Sequence, residues 1–168
     1  MSVATLKVTT PSDREIMMTR VLNAPRALVF DCYTRPELLK RWLNGPDGWQ
    51  LAVCDNDLRV GGAYRWLWRG PGGTEMGLSG VHREIVRPER IVRTELFDDQ
   101  PGGESIGTLL LTEEGGVTTV TMKMLYPSLE ARDGALKSGM EQGVSANLNK
   151  LAELLASMPD REEQRRSA

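Results

Sequence analysis

The chain has 168 residues, 40% hydrophobic and 26% charged, the make-up of one globular domain and not of a disordered or fibrous chain. Its 21 Lys+Arg against 23 Asp+Glu leave a net charge of -2, too weak a field to draw in a polyanion, so no nucleic-acid partner is expected. No apolar run approaches the roughly 20 residues that span a bilayer, and the N-terminus lacks a signal-peptide core, so we expect no membrane insertion and a cytoplasmic location.

Residues 1–13 hold no sustained period and carry Thr9, Thr10, Pro11, Ser12 and Asp13, the mark of a frayed N-terminal arm. Glu15 to Leu22 reads as a first strand that stops at Asn23-Ala24-Pro25. There Asn23 is placed to cap a helix over about 25–33, with Pro25 in its first turn. Leu28, Val29 and Cys32 share the face this helix buries, while Arg26 and Asp31 point elsewhere. Thr34-Arg35-Pro36-Glu37 has the capping-box order of a second short helix, which ends near Asn44-Gly45-Pro46. Cys32 and Cys54 have neither metal-type nor CxxC spacing and are expected to be reduced and mostly buried.

From Trp49 to Tyr126 the breakers Gly61-Gly62, Gly70-Pro71-Gly72-Gly73, Arg87-Pro88, Pro101-Gly102-Gly103 and Gly115-Gly116 divide about six strands of an antiparallel meander. Alternation turns Tyr64, Trp66 and Trp68 inward against Arg65 and Arg69, and Val120, Met122 and Met124 inward against Thr119, Thr121 and Lys123. From Met76 to Val86 neither phase is cleanly apolar, which leaves its facing open and makes Gly77 and Gly80 the sites for a bulge that switches it.

Beyond Pro127, Leu136, Met140, Val144, Leu148, Leu151 and Leu155 recur at steps of three and four. The spacing predicts one helix over 129–157, roughly 40 Å long at 1.5 Å per residue. Gly139 and Gly143 would each cost it about 1 kcal/mol, to be offset by close approach of the sheet or a ligand, or to serve as a bend. The charged tail 158–168 is expected to be disordered.

A strand, two short helices, a meander and a long last helix make an α+β helix-grip fold, a curved antiparallel sheet wrapped around its C-terminal helix. Motifs in that order carry a resemblance over about 14–156. They are Ala24-Pro25 with Val29-Phe30, Pro36-Glu37-Leu38 before Trp42, Val60-Gly61-Gly62-Ala63-Tyr64-Arg65, Gly80-Val81-His82-Arg83-Glu84-Ile85, Pro88-Glu89-Arg90-Ile91-Val92, Thr118-Thr119-Val120-Thr121, Ala131-Arg132-Asp133 and Ser138-Gly139-Met140-Glu141-Gln142-Gly143. The chain resembles the START/Bet v 1-like (SRPBCC) superfamily, in the branch of the activator of heat-shock-protein-90 ATPase C-terminal-like domain. The resemblance implies a hydrophobic cavity between the sheet and the terminal helix, which in relatives holds sterols, lipids, polyketides or hormones. It departs from the family at His82, where an aromatic is usual.

The candidate ligand-binding residues are Trp42, Tyr64, Trp66, Trp68, Met76, Val120, Met122, Met124, Met140 and Val144, because aromatic walls and adaptable thioethers suit burial of an apolar or aromatic molecule. The bland alternative is an ordinary core. His82, Glu84 and Tyr64 are the candidates for moving a proton, with His82 and Glu84 on one face at i, i+2. A satisfied structural histidine is the competing reading. Gly77-Leu78-Ser79-Gly80-Val81 lacks the last glycine of a nucleophile elbow, and no His/Cys cluster has metal-ligand spacing, so neither metal nor cofactor is expected. Arg65, Arg69, Arg83 and Arg93 read as solvated outer-face charges. The leading function is binding of a small apolar ligand; the alternatives are a cyclase or aromatase-like enzyme and a chaperone-regulating interaction domain. Exposed sheet edges leave room for a homodimer.

Overall fold

The segment Glu15–Leu22 shows how the sheet is built: Ile16, Met18, Arg20 and Leu22 are buried while the residues between them keep accessible surface. That is the period of two by which a strand sorts its side chains onto opposite faces. The computed structural model describes residues 5–99 and 103–158. In chain order the elements are β1 (Lys7–Thr9), β2 (Glu15–Leu22), α1 (Arg26–Thr34), α2 (Pro36–Trp42), β3 (Gln50–Asn56), β4 (Ala63–Arg69), β5 (Glu75–Val86), β6 (Arg90–Phe97), β7 (Ser105–Glu114), β8 (Val117–Leu125), α3 (Leu129–Lys137) and α4 (Met140–Ser157).

The strands form one antiparallel sheet in the order β1-β2-β8-β7-β6-β5-β4-β3. Its inner face packs on α1, α2 and α4, which is the α+β helix-grip arrangement. Leu148, Leu151, Leu154 and Leu155 of α4 are buried there, each contributing about 2 kcal/mol by area removed from water. The α2–β3 loop clamps the same helix: Asn147 Oδ1 accepts from the Gly45 amide at 2.7 Å, and Lys150 Nζ donates to the Gly45 carbonyl at 2.8 Å. No described helix is long and apolar enough to cross a membrane.

Several local expectations are corrected. Residues Lys7–Thr9 are not frayed but pair with β2 as the edge strand. Pro25, not Asn23, is the residue before α1, and no side chain caps that helix. Thr34 forms no capping box, because its hydroxyl donates back to the Phe30 carbonyl at 2.8 Å; Glu37 pairs with Arg35 instead. Asp31 is buried rather than turned outward. The long terminal helix is two helices, because Gly139 at φ 82 lies in the left-handed region between them. Leu136 is exposed on α3, which buries none of its residues. Neither glycine is approached by the sheet: a Cβ at Gly143 would meet nothing within 4 Å, and one at Gly139 only Gln142 Oε1 at 3.8 Å.

The open phase of β5 is settled by a bulge at Arg83, between the pairs His82↔Arg93 and Glu84↔Val92, and not at either glycine. Cys32 and Cys54 are both buried. The tail from 159 onward and the Pro101-Gly102 turn lie outside the described residues.

Candidate functional site: a polar centre on the inner face

Along β6, Ile91, Arg93, Glu95 and Phe97 share one face, and Ile91 and Phe97 pack into the core, so the two charges between them also point inward. The Arg93 guanidinium lies 4.4 Å from the centre of the Trp66 ring and 4.8 Å from that of Tyr64. Ring quadrupoles attract a cation held this way. The Arg93 side chain forms no ion pair or hydrogen bond with any described residue. Glu95 lies over Gly107 of β7, where a Cβ would collide with its carboxylate. Burial raises the Glu95 carboxyl above its ordinary range, with Arg93 opposing the shift.

Two phenols face the same region. Among the described residues, Tyr33 of α1 has only the Met122 sulfur as acceptor, at 4.0 Å, and Tyr126 only the Met140 sulfur, at 3.8 Å. Thioethers are weak acceptors. Burial pushes the Tyr33 hydroxyl up and that of Tyr126 up to about 12, so both stay protonated donors at neutral pH. Arg20, 4% exposed, reaches from β2 to α4, where Nη1 donates to Asn149 Oδ1 at 2.8 Å; its Nε is buried with no partner among the described residues.

Cover over this centre is graded. Helix α4 is buried at Leu148, Leu151 and Leu155 but only half-buried at Met140, its first residue, and at Val144, one turn in. The sheet residues Met122, Met124, Arg93 and Glu95 are half-buried too. Tyr33 and Glu95 lie deep within the protein and still keep accessible surface. Tyr33 of α1 aside, these half-buried residues lie on the first half of α4 and on the inner face of the sheet.

The predicted residues divide around the polar centre. Tyr64 and Trp66 stack on Arg93, Met124 lies beside Gly107 and Glu95, Met122 is the acceptor of Tyr33, and Met140 and Val144 are half-buried on α4. Trp42 belongs to the helix core, with Nε1 donating to the Cys32 carbonyl at 2.9 Å and its ring edge-on to Tyr33 at 4.8 Å. Trp68 donates to the Leu43 carbonyl at 2.8 Å, Val120 is fully buried opposite Arg20, and Met76 stands at the start of β5, 38% exposed.

His82 is 1% exposed with Nε2 2.6 Å from Asn56 Oδ1, and Asn56 in turn donates to the Thr34 carbonyl at 2.8 Å. Glu84 does not share its face, because the bulge turns Glu84 outward to pair with Arg90. Tyr64 donates to the Thr94 carbonyl at 2.6 Å. Arg65, Arg69 and Arg83 are outer-face charges paired with Asp98, Glu75 and Glu104, whereas Arg93 is not one of them. Arg20, Tyr33, Glu95 and Tyr126 went unsuspected in the sequence, and Arg93 was read there as an outer-face charge; the alternation of Ile91, Arg93, Glu95 and Phe97 was the signal for the inward facing of Arg93 and Glu95. Two open depressions, of about 500 and 410 Å³, are lined mainly by outward-facing residues such as Arg65, Ser79 and Val81, or Val86, Arg90 and Thr112; Tyr64 borders the first, and no residue of α4 lines either.

The model of the family described as Activator of Hsp90 ATPase homolog 1-like protein matches residues 23–156. The chain belongs to this family. Its place in the START/Bet v 1-like superfamily follows, as the ordered motifs suggested. Among solved structures, a protein of Rhodobacter sphaeroides is 30% identical with a TM-score of 0.86, over 92% of this chain and 99% of that one. A Chromobacterium violaceum protein is 30% identical with a TM-score of 0.73, over 87% and 99%. A Mycobacterium smegmatis protein at 24% identity shares the fold, with a TM-score of 0.79 over 91% and 99%. No curated protein matches the sequence.

Proposed function

We propose that the protein binds a small hydrophobic or aromatic molecule in the cleft between the sheet and α4. The observation that carries this is the graded burial of α4: the helix is sealed at Leu148 and Leu151 yet leaves Met140 and Val144 half-covered, as Met122 and Met124 are on the sheet. Apolar surface left uncovered inside a domain is costly in water, at about 25 cal/mol per Å², and a guest removes that cost. Thioethers and the Tyr64 and Trp66 rings adapt to flat guests through sulfur–aromatic and ring contacts. The enzyme alternative loses Glu84 as its acid, and a chaperone-regulating role rests on the family description alone.

The test uses N-phenylnaphthylamine, an uncharged dye that brightens on leaving water. Micromolar binding is expected, along with a loss of at least tenfold on Val144→Trp, which fills the cleft from α4. No brightening with folded protein at tens of micromolar overturns the proposal, as does unchanged binding in a folded Val144→Trp variant.

A further inference from the structure

Resting on that reading, we infer that the guest is an aromatic acid, its carboxylate received by the Arg93 guanidinium inside the cleft. Arg93 has one face committed to Tyr64 and Trp66, which hold the guanidinium in place, and none of its side-chain N–H groups is engaged by a described residue. A guanidinium presents a planar fork of donors that matches a carboxylate's two oxygens. Glu95, two residues along the same strand, does not neutralise it by contact, since no ion pair joins them; burial favours the uncharged form of that carboxyl. The Arg93 guanidinium is therefore left without an ion-pair contact among the described residues.

The surrounding groups act in the same sense. Arg20, almost wholly buried, has no acidic partner among the described residues and keeps Nε unengaged. Both arginines lie close enough to Tyr33 to act on its hydroxyl electrostatically, so the three groups belong to one region. Tyr33 and Tyr126 hold protonated hydroxyls whose only acceptors among the described residues are thioether sulfurs. A wall with two cations that lack an ion-pair contact among the described residues and two under-used donors asks for a ligand rich in acceptor oxygens, because a buried donor left unmatched costs more than a matched one returns. Hydrocarbon alone would leave that cost in place. The thioethers of Met122, Met124 and Met140 favour an aromatic body over an aliphatic one.

The test compares naphthoate with naphthamide, the same aromatic body with and without the charge, each displacing N-phenylnaphthylamine at pH 7. Naphthoate is expected to displace the dye at least tenfold more tightly. Arg93→Met is expected to abolish that preference while dye binding survives, and Arg93→Lys to restore part of it. Equal displacement by acid and amide overturns the acid assignment and leaves the cleft standing. Dye binding that is absent from the start overturns both. Should Arg93→Met fail to fold, the acid–amide comparison on the unmodified protein still decides; a folded Arg93→Met that keeps the tenfold preference overturns the role of Arg93.

Discussion

Gly107 yields its side-chain space to the Glu95 carboxylate, and a Cβ there would also crowd the Met124 sulfur at 3.3 Å. Both obstacles are ends of flexible side chains that can swing away. At Gly80 the obstacles are the Thr94 carbonyl, which is backbone, and the Tyr64 ring, which that carbonyl holds by its hydroxyl at 2.6 Å. Gly80→Ala is therefore expected to cost about 3 kcal/mol or to abolish folding, and Gly107→Ala about 1 kcal/mol. Urea unfolding of both variants checks the order, and equal losses would contradict it.

Glu95 gives a pH signature. Its carboxyl titrates above the ordinary value of 4.5 in the folded chain because burial disfavours the charged form. As pH rises past 4.5 the unfolded chain loses its proton first, so between the two values the native state binds more protons and stability falls; above both, the deficit is constant. Glu95→Gln carries no charge at any pH. It is expected to be more stable than the parent at pH 7, with the gain shrinking toward about pH 4. Denaturant midpoints at the two pH values measure this, and an equal gain at both would remove the buried-carboxyl explanation.

His82 is the sole histidine of the sequence, so its ring can be followed without ambiguity by proton NMR. Burial first, and Arg93 second, lower its value below 6.5, so it is neutral at pH 7. The stability this contributes is present above the unfolded value and is lost as pH falls through the folded one. A folded titration midpoint at or above 6.5 would contradict the burial. Asn56→Ala removes the partner of His82 Nε2 and the donor to the Thr34 carbonyl, and is expected to cost about 2 kcal/mol.

The two helix glycines should respond in opposite directions. Gly143 sits inside α4 with open space where a Cβ would go, so Gly143→Ala is expected to add about 0.5–1 kcal/mol. Gly139 has φ 82, which alanine adopts only with strain, so Gly139→Ala is expected to lose about 1 kcal/mol. Gains at both positions would mean that the chain runs through 139 as one helix.

Periodicity in the sequence was enough to place β2, to place β4 and β8 with their inward phase, to divide the meander at its Gly and Pro turns, and to order the motifs that belong to this family. These are short-range regularities, written by turn chemistry and by the alternation of side chains within each segment. What lay outside that reach depended on partners distant in the chain. The bulge at Arg83 exists only through pairing of β5 with β6, and it separates His82 from Glu84. Thr34 abandons its capping role for a carbonyl within α1. Arg93 looked like a surface charge because charge alone says nothing of which face a neighbouring element covers; the Tyr64 and Trp66 rings from β4 make the interior tolerable to it. Facing can be written locally, but burial is conferred by whatever the rest of the fold lays on top.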